Sequence, residues 1–536
     1  MALTIRQTSA SDASLWLDLL KVALGEDYPA RTVYDPAWIA QQLDPASGQE
    51  TWVAEQGGRF LASMACLPPA VQNVNPITNL GRTLFRSESY ADGSAAALLG
   101  SINEMAGQRG HLVVGRVPAS DNPQQILFEK LGFVCAGFQP FKHHLQVREG
   151  MLFYVRMGQP SLVTRLPLSD SLPEINELAT CVLTNLNISN LLSVRDGVTG
   201  YPLQTELKIH DATPEDFELW RMQVQTANPP REVSTGYNLG VGLMRIATDI
   251  PLRAILGQRE DKIVAGVAYV FDEEDRCLRI VDSFSADDLS TGAMFHHLSQ
   301  AAQNQLKAVY SEVDILTTAP RLLKSAEQLG FVPVAYLPAF FFENGHCADV
   351  VKMSKLNLAY SLENTTLTAH ASRIVEIIDN CFQDQKVGMA IVNLLRSLSI
   401  FAGLGDGELR KIARLCTQKL VRPGEKVFRK GDPGTEAYVV MRGQVDILLE
   451  EQSRPVATMS TGHIFGEQAF LDSTTRVASA VAAQPTILLV VQRSAFNRLV
   501  QSEPHLGMVV MRNVAMELSN KLRQANLTLA LVKGRI

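Results

Sequence analysis

The stretch Phe465–Ala480, FGEQAFLDSTTRVASA, carries the clearest chemical pattern in this sequence. Gly466 has no side chain, so the backbone can approach a ligand closely there, and the polar turn after it can aim N–H groups at phosphate oxygens. The planar guanidinium of Arg476 matches two phosphate oxygens, and Glu467, which only accepts hydrogen bonds when ionised, suits a ribose hydroxyl. A strand predicted at 477–481 forms the wall. The stretch therefore predicts a pocket for a cyclic phosphate.

The run F-G-E-x-A, followed by six residues and then R-x-A, resembles the phosphate-binding cassette of cyclic nucleotide-binding domains. The similarity extends over residues 395–493 and includes IFAGL at 400–404, RPGEKVFRKGD at 422–432 and YVVMRGQVDILL at 438–449. The resemblance implies that Glu467 takes the ribose 2′-hydroxyl and that Arg476 takes the cyclic phosphate. The nucleotide-binding residues that it implies are Phe465, Gly466, Glu467, Gln468, Ala469, Arg476, Val477 and Ala478.

The residue directly after the arginine bears on the choice of nucleotide. Some cGMP-selective members of this family carry Thr or Ser at that position, whereas Val477 has no hydroxyl, and this favours cAMP. The alternative is a β-roll that binds no nucleotide, in which Arg476 serves only as one partner of a salt bridge.

Bulk properties limit the other classes of function. A chain of 536 residues is too long for one core and is expected to hold about three or four domains. The net charge of −6 and the pI near 6.0 argue against nucleic acid as a main partner. The seven cysteines are scattered and form no C-x-x-C pair, so the sequence predicts neither a metal site nor a disulfide framework.

The sequence also predicts where the protein resides. Its start, MALTIRQTSASDAS, has no apolar run of the kind found in a signal peptide, and no later segment is long and apolar enough to span a bilayer. Unpaired cysteines fit a reducing compartment. We therefore expect a cytoplasmic protein with no membrane partner.

An internal repeat organises the first two thirds of the chain. LTIRQTSASDASLWLDLLKVA from Leu3 aligns with LKIHDATPEDFELWRMQVQTA from Leu207, and FEKLGFVCAGFQP from Phe128 aligns with AEQLGFVPVAYLP from Ala326. Each copy reads as strand, helix, three strands, helix, strand, helix and strand. The sequence therefore predicts two tandem α/β domains.

The order of elements, together with N-x-x-x-x-x-F-E-K-L-G-F at 122–133, resembles the GNAT acyltransferase superfamily. The resulting fold class is α/β plus β-roll: two tandem GNAT-like domains followed by a cyclic nucleotide-binding β-roll with C-terminal helices. The predicted regions are GNAT-like domain 1 at 1–160, a helical connector at 161–204, GNAT-like domain 2 at 205–356, a helical linker at 357–394, the nucleotide-binding domain at 395–500 and a C-terminal helix at 501–536.

The GNAT resemblance implies a loop at the start of the first long helix whose N–H groups hold the pyrophosphate of acetyl-CoA or another acyl-CoA. Helix N-termini suit anions. The matching run in the first copy is YADGSA, and the implied cofactor-binding residues are Gly93, Ser94, Ala95 and Asn122. The second copy has LSTGAM, in which Gly292 fits but Met294 would crowd the backbone. We therefore expect acyl-CoA in the first copy.

The catalytic positions depart from the family pattern. The tyrosine that many GNAT enzymes use as an acid falls on Phe128 in the first copy and on Ala326 in the second, and neither can donate a proton. The best candidate base is Glu88, near the end of the predicted strand GRTLFRSES. The competing interpretation of Glu88 is a solvated residue at the end of a strand.

Two functions follow from these resemblances. The first is a cAMP-regulated N-acyltransferase that transfers an acyl group to a protein or small-molecule amine. The second is an inactive GNAT-like scaffold whose partner binding is switched by the nucleotide. A channel or kinase subunit has no support, since the sequence shows no membrane span or kinase motif. An apolar stripe in 501–536 also predicts a homodimer through the C-terminal helix.

Overall fold

The computed structural model describes residues 2–47, 49–67, 77–109, 112–144, 148–168, 170–189, 192–195, 197–225, 231–234, 244, 250–343, 345–362, 364–387, 389–449, 454–468 and 474–533. The chain divides into two compact units, Met1–Phe382 and Gln383–Ile536. None of the helices within these ranges is long and apolar enough to cross a membrane.

The first unit opens with an α/β region that we call the first half. Its strands are β1 (Thr4–Gln7), β2 (Glu50–Gln56), β3 (Arg59–Leu67), β4 (Ile77–Phe85), β5 (Leu112–Pro118), β6 (Val134–His144) and β7 (Arg148–Met157). Its helices are α1 (Ala13–Leu24), α2 (Pro36–Leu43), α3 (Glu88–Ala91), α4 (Ser94–Arg109) and α5 (Asn122–Lys130). A connector follows, with α6 (Gln159–Thr164), β8 (Asp170–Ser171), α7 (Pro173–Asn185) and β9 (Ser193–Val194).

The rest of the first unit repeats this arrangement, and we call it the second half. Its strands are β10 (Lys208–Ala212), β11 (Leu252–Arg259), β12 (Lys262–Asp272), β13 (Cys277–Ser285), β14 (Tyr310–Leu316), β15 (Val332–Glu343) and β16 (His346–Leu356). Its helices are α8 (Pro214–Gln225), α9 (Thr291–Asn304) and α10 (Pro320–Gln328). Each half thus ends in one strand more than the sequence predicts.

Both halves use the same strand order and share one sheet. Among the described residues, fourteen strands run in the order β1-β2-β3-β4-β5-β7-β6-β15-β16-β14-β13-β12-β11-β10. The order of the second half mirrors that of the first, and β6 meets β15 where Gly137 pairs with Ala335. Gly137 permits this contact, because a Cβ there would collide with the Ala335 side chain and lie 2.5 Å from the Val334 oxygen. Tandem domains on one continuous sheet were not anticipated from the repeat.

Buried charged side chains also join the two halves. Lys142 on β6 of the first half lies 2.9 Å from the carboxylate of Glu312 on β14 of the second half. Gln139 on β6 donates to Glu312 at 2.6 Å. Removing one member of a buried pair leaves an uncompensated charge, which costs about 3–5 kcal/mol. These contacts therefore fix the register of the two halves.

The helix that follows the sheet matches the predicted linker. It is α11 (Ala369–Val387), and its apolar positions Ile374, Ile377, Ile378 and Phe382 are buried in the core of the first unit. The docking face expected from the sequence is therefore confirmed. Just before this helix, Gln125 of α5 donates to the Thr366 carbonyl and accepts from the Thr368 N–H.

The second unit is a β-roll with flanking helices. Its strands are β17 (Cys416–Val421), β18 (Lys426–Phe428), β19 (Glu436–Arg442), β20 (Gln444–Leu448), β21 (Ala457–Ser460), β22 (Ile464–Phe465), β23 (Ser479–Ala482) and β24 (Thr486–Gln492). They form two four-stranded sheets, β17-β24-β19-β22 and β18-β23-β20-β21. The helices are α12 (Met389–Arg396), α13 (Asp406–Arg414), α14 (Arg493–Ser502) and α15 (Pro504–Lys533).

The C-terminal helix contributes to the core of its own unit. Val510 on α15 is buried in the hydrophobic cluster that also contains Ile400 and Phe401, and Val514 packs against this cluster. The remaining positions of the predicted stripe, Leu518, Leu522 and Leu529, have side chains outside the described set. The homodimer through this helix stays a prediction.

Candidate phosphate-binding sites

Arg476 lies inside the β-roll, and hydrogen bonds hold both its backbone and its guanidinium. Its N–H donates to the Asp432 carbonyl, and its own carbonyl accepts from the Gly431 N–H, both at 2.8 Å. Its side chain is 4% exposed. One guanidinium nitrogen donates to the Gly466 carbonyl at 2.9 Å and another to the Glu436 carbonyl at 2.7 Å. The loop at 429–433 and strand β19 therefore position the arginine that the sequence singled out.

An aromatic cluster packs around this guanidinium. The Arg476 Cζ lies 4.2 Å from the centroid of the Phe428 ring and 5.6 Å from that of Tyr438. Tyr438 in turn stacks on Phe465, with centroids 5.3 Å apart. A cation over an aromatic face is stabilised by the ring quadrupole. The rings thus hold the guanidinium without neutralising its charge.

The charge of Arg476 has no acidic partner in contact. Within the described ranges, the guanidinium bonds only to carbonyl oxygens, and no carboxylate lies within ion-pair distance. Its Nε is buried and makes no hydrogen bond to a described residue. Burial lowers the pKa of the guanidinium from its ordinary value. A buried cation whose described contacts include no carboxylate is suited to an incoming phosphate.

Gly466 occupies a position that demands glycine. Its φ of +76° lies in the left-handed region, where a side chain is strained. A Cβ on Gly466 would also lie 2.6 Å from an Arg476 guanidinium nitrogen. The glycine therefore allows the arginine to approach the backbone of the cassette.

The other predicted cassette residues fall into different environments. Phe465 ends β22 and is buried, Ala478 is buried beside β23, and Val477 is 61% exposed. Glu467 is half-buried and Gln468 is exposed. Ala469 lies outside the described residues. The structure thus brings Phe465, Gly466 and Arg476 into contact, while Val477 faces solvent.

The second candidate site is the start of α4 in the first half. Gly93 has φ +82°, and no atom lies within 4 Å of the place that a Cβ would take. The backbone of Gly93 is therefore open to a ligand. Ala95 is buried against the sheet, so only its backbone could reach a ligand, and the buried Ser94 hydroxyl has no hydrogen-bond partner among the described residues.

One feature of this helix start opposes phosphate binding. The Asp92 carboxylate accepts a hydrogen bond from the Ser94 N–H at 2.8 Å. It thereby uses a donor that the GNAT resemblance assigns to pyrophosphate and places a negative charge beside it. Nearby, the Tyr90 hydroxyl donates to Asp121, and Asn122 begins α5 in a half-buried position.

The structure places Glu88 differently from the sequence prediction. Strand β4 ends at Phe85, and Glu88 begins the short helix α3 rather than ending a strand. The chain turns here because the Ser89 N–H and hydroxyl both bond to the Arg86 carbonyl. Glu88 is about half exposed and pairs with Arg59 at 3.7 Å. Its position at the end of a strand was therefore wrong, and its charge is partly compensated.

The two positions that replace the expected tyrosine are both core positions. Phe128 is fully buried and packs on Phe133 and Tyr154, with ring centroids 4.9 and 5.7 Å away. Ala326 is equally buried in the second half. Neither residue supplies a proton or reaches solvent.

In the second half, the helix start that corresponds to Gly93 is covered by the chain itself. A Cβ on Gly292 would collide with the Pro202 carbonyl oxygen and lie 2.9 Å from that of Tyr201. The gap between β13 and β14 is also filled. These strands pair only from Cys277 to Ile280, and beyond that point Val233 forms a bridge to Ile315. No local sequence pattern predicts this cover, because the covering segments are distant from Gly292 along the chain.

The site region was compared with known proteins. Residues 418–503 match the family described as Cyclic nucleotide-binding domain. The chain is 33% identical over 141 residues to a cyclic AMP receptor protein from Thermus thermophilus, a match that covers 26% of this chain and 63% of that protein. It is 30% identical over 164 residues to the cGMP-dependent protein kinase egl-4 of Caenorhabditis briggsae, covering 28% of this chain and 22% of the kinase.

A third relative is a cAMP-dependent protein kinase regulatory subunit from Eremothecium gossypii, 38% identical over 103 residues, which are 19% of this chain and 22% of that subunit. Among solved structures, the Thermus thermophilus catabolite activator protein is 32% identical, covering 25% of this chain and 63% of that one, with a TM-score of 0.23. This chain thus spans less than two thirds of the length of each of these relatives. The chain carries a cyclic nucleotide-binding domain at residues 418–503.

Proposed function

We propose that the protein is a cAMP-regulated N-acyltransferase of GNAT type, in which the C-terminal domain senses the nucleotide and the first half uses acetyl-CoA or another acyl-CoA. The observation that carries the regulatory part is the buried Arg476 guanidinium, whose contacts with the described residues are to carbonyl oxygens and aromatic rings. A cyclic phosphate would supply the missing negative charge. Glu467 is assigned to the ribose 2′-hydroxyl, by the resemblance of the cassette.

The preference for cAMP rests on Val477. Its side chain is exposed beside Arg476 and has no hydroxyl to offer to a guanine base. Calorimetric titration of the full-length protein with cAMP and with cGMP tests this assignment. Tighter binding of cAMP is expected, and equal affinities would remove the argument from Val477.

The acyltransferase part rests on the difference between the two helix starts. Gly93 is open, whereas Gly292 is covered by Tyr201 and Pro202. Acyl-CoA is therefore assigned to the first half, with Gly93, Ser94, Ala95 and Asn122 around the pyrophosphate. The amine nitrogen of the acceptor would then attack the carbonyl carbon of a thioester that is held in position, and the C–S bond would break. CoA would leave as the thiol, taking its proton from the amine through water, since Phe128 cannot donate one. Glu88 remains the candidate base, acting through water once its pairing with Arg59 is broken.

The second candidate function is a scaffold without catalysis, whose partner binding is switched by the nucleotide. The pairing of Glu88 with Arg59 and the carboxylate of Asp92 at the helix start favour it. Thermal unfolding with acetyl-CoA and with a longer acyl-CoA separates the two. A ligand at 100 times its Kd adds about 2.7 kcal/mol of stability. A rise in Tm supports the acyltransferase, and an unchanged Tm with both ligands supports the scaffold.

The cellular location follows from the cysteines. All seven are free thiols, and none is paired in a disulfide. This arrangement fits a reducing compartment, and we assign the protein to the cytoplasm. Fractionation of cells that produce the tagged protein tests the assignment.

A further inference from the structure

The second half contains a cavity of about 210 Å³ at the place where β13 and β14 diverge. Its apolar side is formed by Val267, Phe284, Met294 and Phe295. Its other side includes Tyr201 and Glu232, which belong to the two segments that cover this half. The cavity therefore lies between the apolar residues of the second half and the two covering segments.

The covering segments exclude a long phosphorylated ligand from this cavity. Pro202 and Tyr201 cover the start of α9, so its N–H groups cannot face a pyrophosphate. The backbone of 232–234 also bonds to β14, with the Ser234 N–H donating to the Asp314 carbonyl at 2.8 Å and the Leu316 N–H donating to the Glu232 backbone carbonyl at 2.9 Å. A ligand of this cavity must therefore be small.

The charges that line the cavity are unequally compensated, and they include one cation, Arg231, which lies 3.9 Å from the carboxylate of Glu343. Asp287 pairs with Arg259 at 2.6 Å, and Asp288 pairs with Arg321. Glu232 differs, because the Tyr201 hydroxyl, at 2.7 Å, is the only hydrogen-bond donor to its carboxylate within the described ranges. Burial raises the pKa of Glu232 from its ordinary value. Among the described residues, this is thus the lining carboxylate with no cation in contact.

Tyr201 is itself held in place. Arg321 lies over its ring, with the guanidinium carbon 4.2 Å from the centroid, and the Tyr201 N–H donates to the Ser325 hydroxyl at 2.7 Å. The phenol therefore orients one oxygen of Glu232 and leaves the other oxygen for a ligand. Ser283 and Thr291 also line the cavity, and their hydroxyl oxygens can accept hydrogen bonds.

We propose that this cavity binds a small molecule that carries a primary ammonium group on a short apolar chain, with Glu232 as its counter-charge. An ammonium has three N–H donors, which match the Glu232 carboxylate and the hydroxyl oxygens of Ser283 and Thr291. The apolar part of the ligand packs against Phe284 and Phe295. Charge-assisted hydrogen bonds in a site with little water are stronger than neutral ones, so the ammonium dominates recognition. The site binds its ligand without acyl transfer. This binding does not depend on any activity of the first half.

The test uses 2-phenylethylamine and 2-phenylethanol, which have the same shape and differ only in the charged group. Both are titrated into the full-length protein at pH 7 and followed by saturation-transfer NMR of the ligand. The amine is expected to bind at least tenfold more tightly than the alcohol. Equal affinities, or no saturable binding of the amine, would overturn the proposal.

Variants locate the binding. Glu232→Gln keeps the size of the side chain and removes its charge, and it is expected to weaken amine binding at least tenfold. Glu273→Gln is the matched control, because Glu273 is an exposed carboxylate on the same half and pairs with Arg253 outside the cavity. Tyr201→Phe keeps the ring under Arg321 and is expected to give a smaller loss. Unchanged amine binding by Glu232→Gln would contradict the proposal that Glu232 binds the ammonium group.

A competition experiment checks the exclusion of acyl-CoA. Acetyl-CoA is added to the protein saturated with 2-phenylethylamine, and the amine signal is expected to persist. Displacement of the amine from the unaltered protein by acetyl-CoA would show that acyl-CoA enters this half, which would overturn the proposal. The melting temperature and the far-UV circular dichroism of every variant serve as the measure of correct folding.

Discussion

The glycine of the β-roll and the glycine of the first half differ in what surrounds them. Gly466 and Gly93 both have positive φ, at +76° and +82°, and both were predicted to let a phosphate approach the backbone. Next to Gly466 lies a buried guanidinium that contacts no carboxylate in the part of the chain that the structure describes, whereas the helix start next to Gly93 is capped by Asp92. A glycine permits close approach, but the charge beside it decides whether an anion is favoured.

Of the changes that test this comparison, replacement of the Arg476 guanidinium should alter ligand affinity most. Arg476→Leu removes a charge-assisted contact worth about 1.5–3 kcal/mol, so cAMP affinity is expected to fall by about 10- to 150-fold. Arg442→Leu is the control, since Arg442 is an exposed arginine at the end of β19. Calorimetric titration of both variants with cAMP measures the two affinities. Unchanged cAMP binding by Arg476→Leu would show that the arginine does not contact the phosphate.

The same comparison predicts that acetyl-CoA binding is lost when Gly93 is replaced. Gly93→Val should place a branched side chain where the backbone would meet pyrophosphate, and the rise in Tm with acetyl-CoA is expected to disappear. Gly58→Val is the control, because Gly58 has φ +73° and open space around it, at the β2–β3 turn. Both variants should lose similar stability from the strained φ. If Gly93→Val keeps the shift, the helix start is not the acyl-CoA site.

A smaller effect is expected when only the fit between Gly466 and Arg476 is disturbed. Gly466→Ala strains the backbone and brings a Cβ to 2.6 Å from the guanidinium, so cAMP affinity should fall by roughly tenfold or less. Gly462→Ala is matched to it, since Gly462 has φ +84° and open space. Both should lose about 1–2 kcal/mol of stability from the positive φ. Equal cAMP affinities in the two variants would mean that the contact with Arg476 does not matter for binding.

The smallest expected effect concerns the carboxylate that distinguishes Gly93 from Gly466. Asp92→Asn removes a negative charge at a helix start, where charge interactions are worth about 0.3–1 kcal/mol, so acetyl-CoA affinity should rise by about two- to fivefold. Asp35→Asn alters the corresponding cap of α2, where Asp35 accepts from the Ala37 N–H. It should leave acetyl-CoA affinity unchanged. A fall in affinity in Asp92→Asn would assign Asp92 a supporting role.

The sequence predicted the β-roll and its arginine because their information is local and dense. The cassette specifies glycine, acid and arginine within a dozen residues, and the structure brings Gly466 and Arg476 together as expected. The sequence did not predict that Phe428 and Tyr438 would enclose the guanidinium. Aromatic residues on separate strands are ordinary core residues until the strands are paired.

The N-terminal unit shows what local patterns miss. The repeat predicted the matching order of elements, but Gly137 at the junction of the two halves reads as an ordinary strand glycine. Likewise, nothing near Gly292 reveals that Pro202 covers it, since the two residues are about ninety positions apart. Glu88 was misplaced because a polar run after an apolar strand is compatible with a strand end or a helical turn, and the hydrogen bonds to Arg86 decided between them.

The central claim is that the nucleotide in the C-terminal domain regulates the N-terminal unit, and reciprocity gives its most direct test. The measurement is the cAMP affinity of the full-length protein with and without saturating acetyl-CoA. Coupling is typically worth about 1–3 kcal/mol, so a change of about five- to 150-fold in cAMP affinity is expected. Ile377→Asp with Ile378→Asp, which undocks α11 from the core of the first unit, should abolish that change. Identical cAMP affinity with and without acetyl-CoA would contradict the account, even if the nucleotide pocket itself were intact.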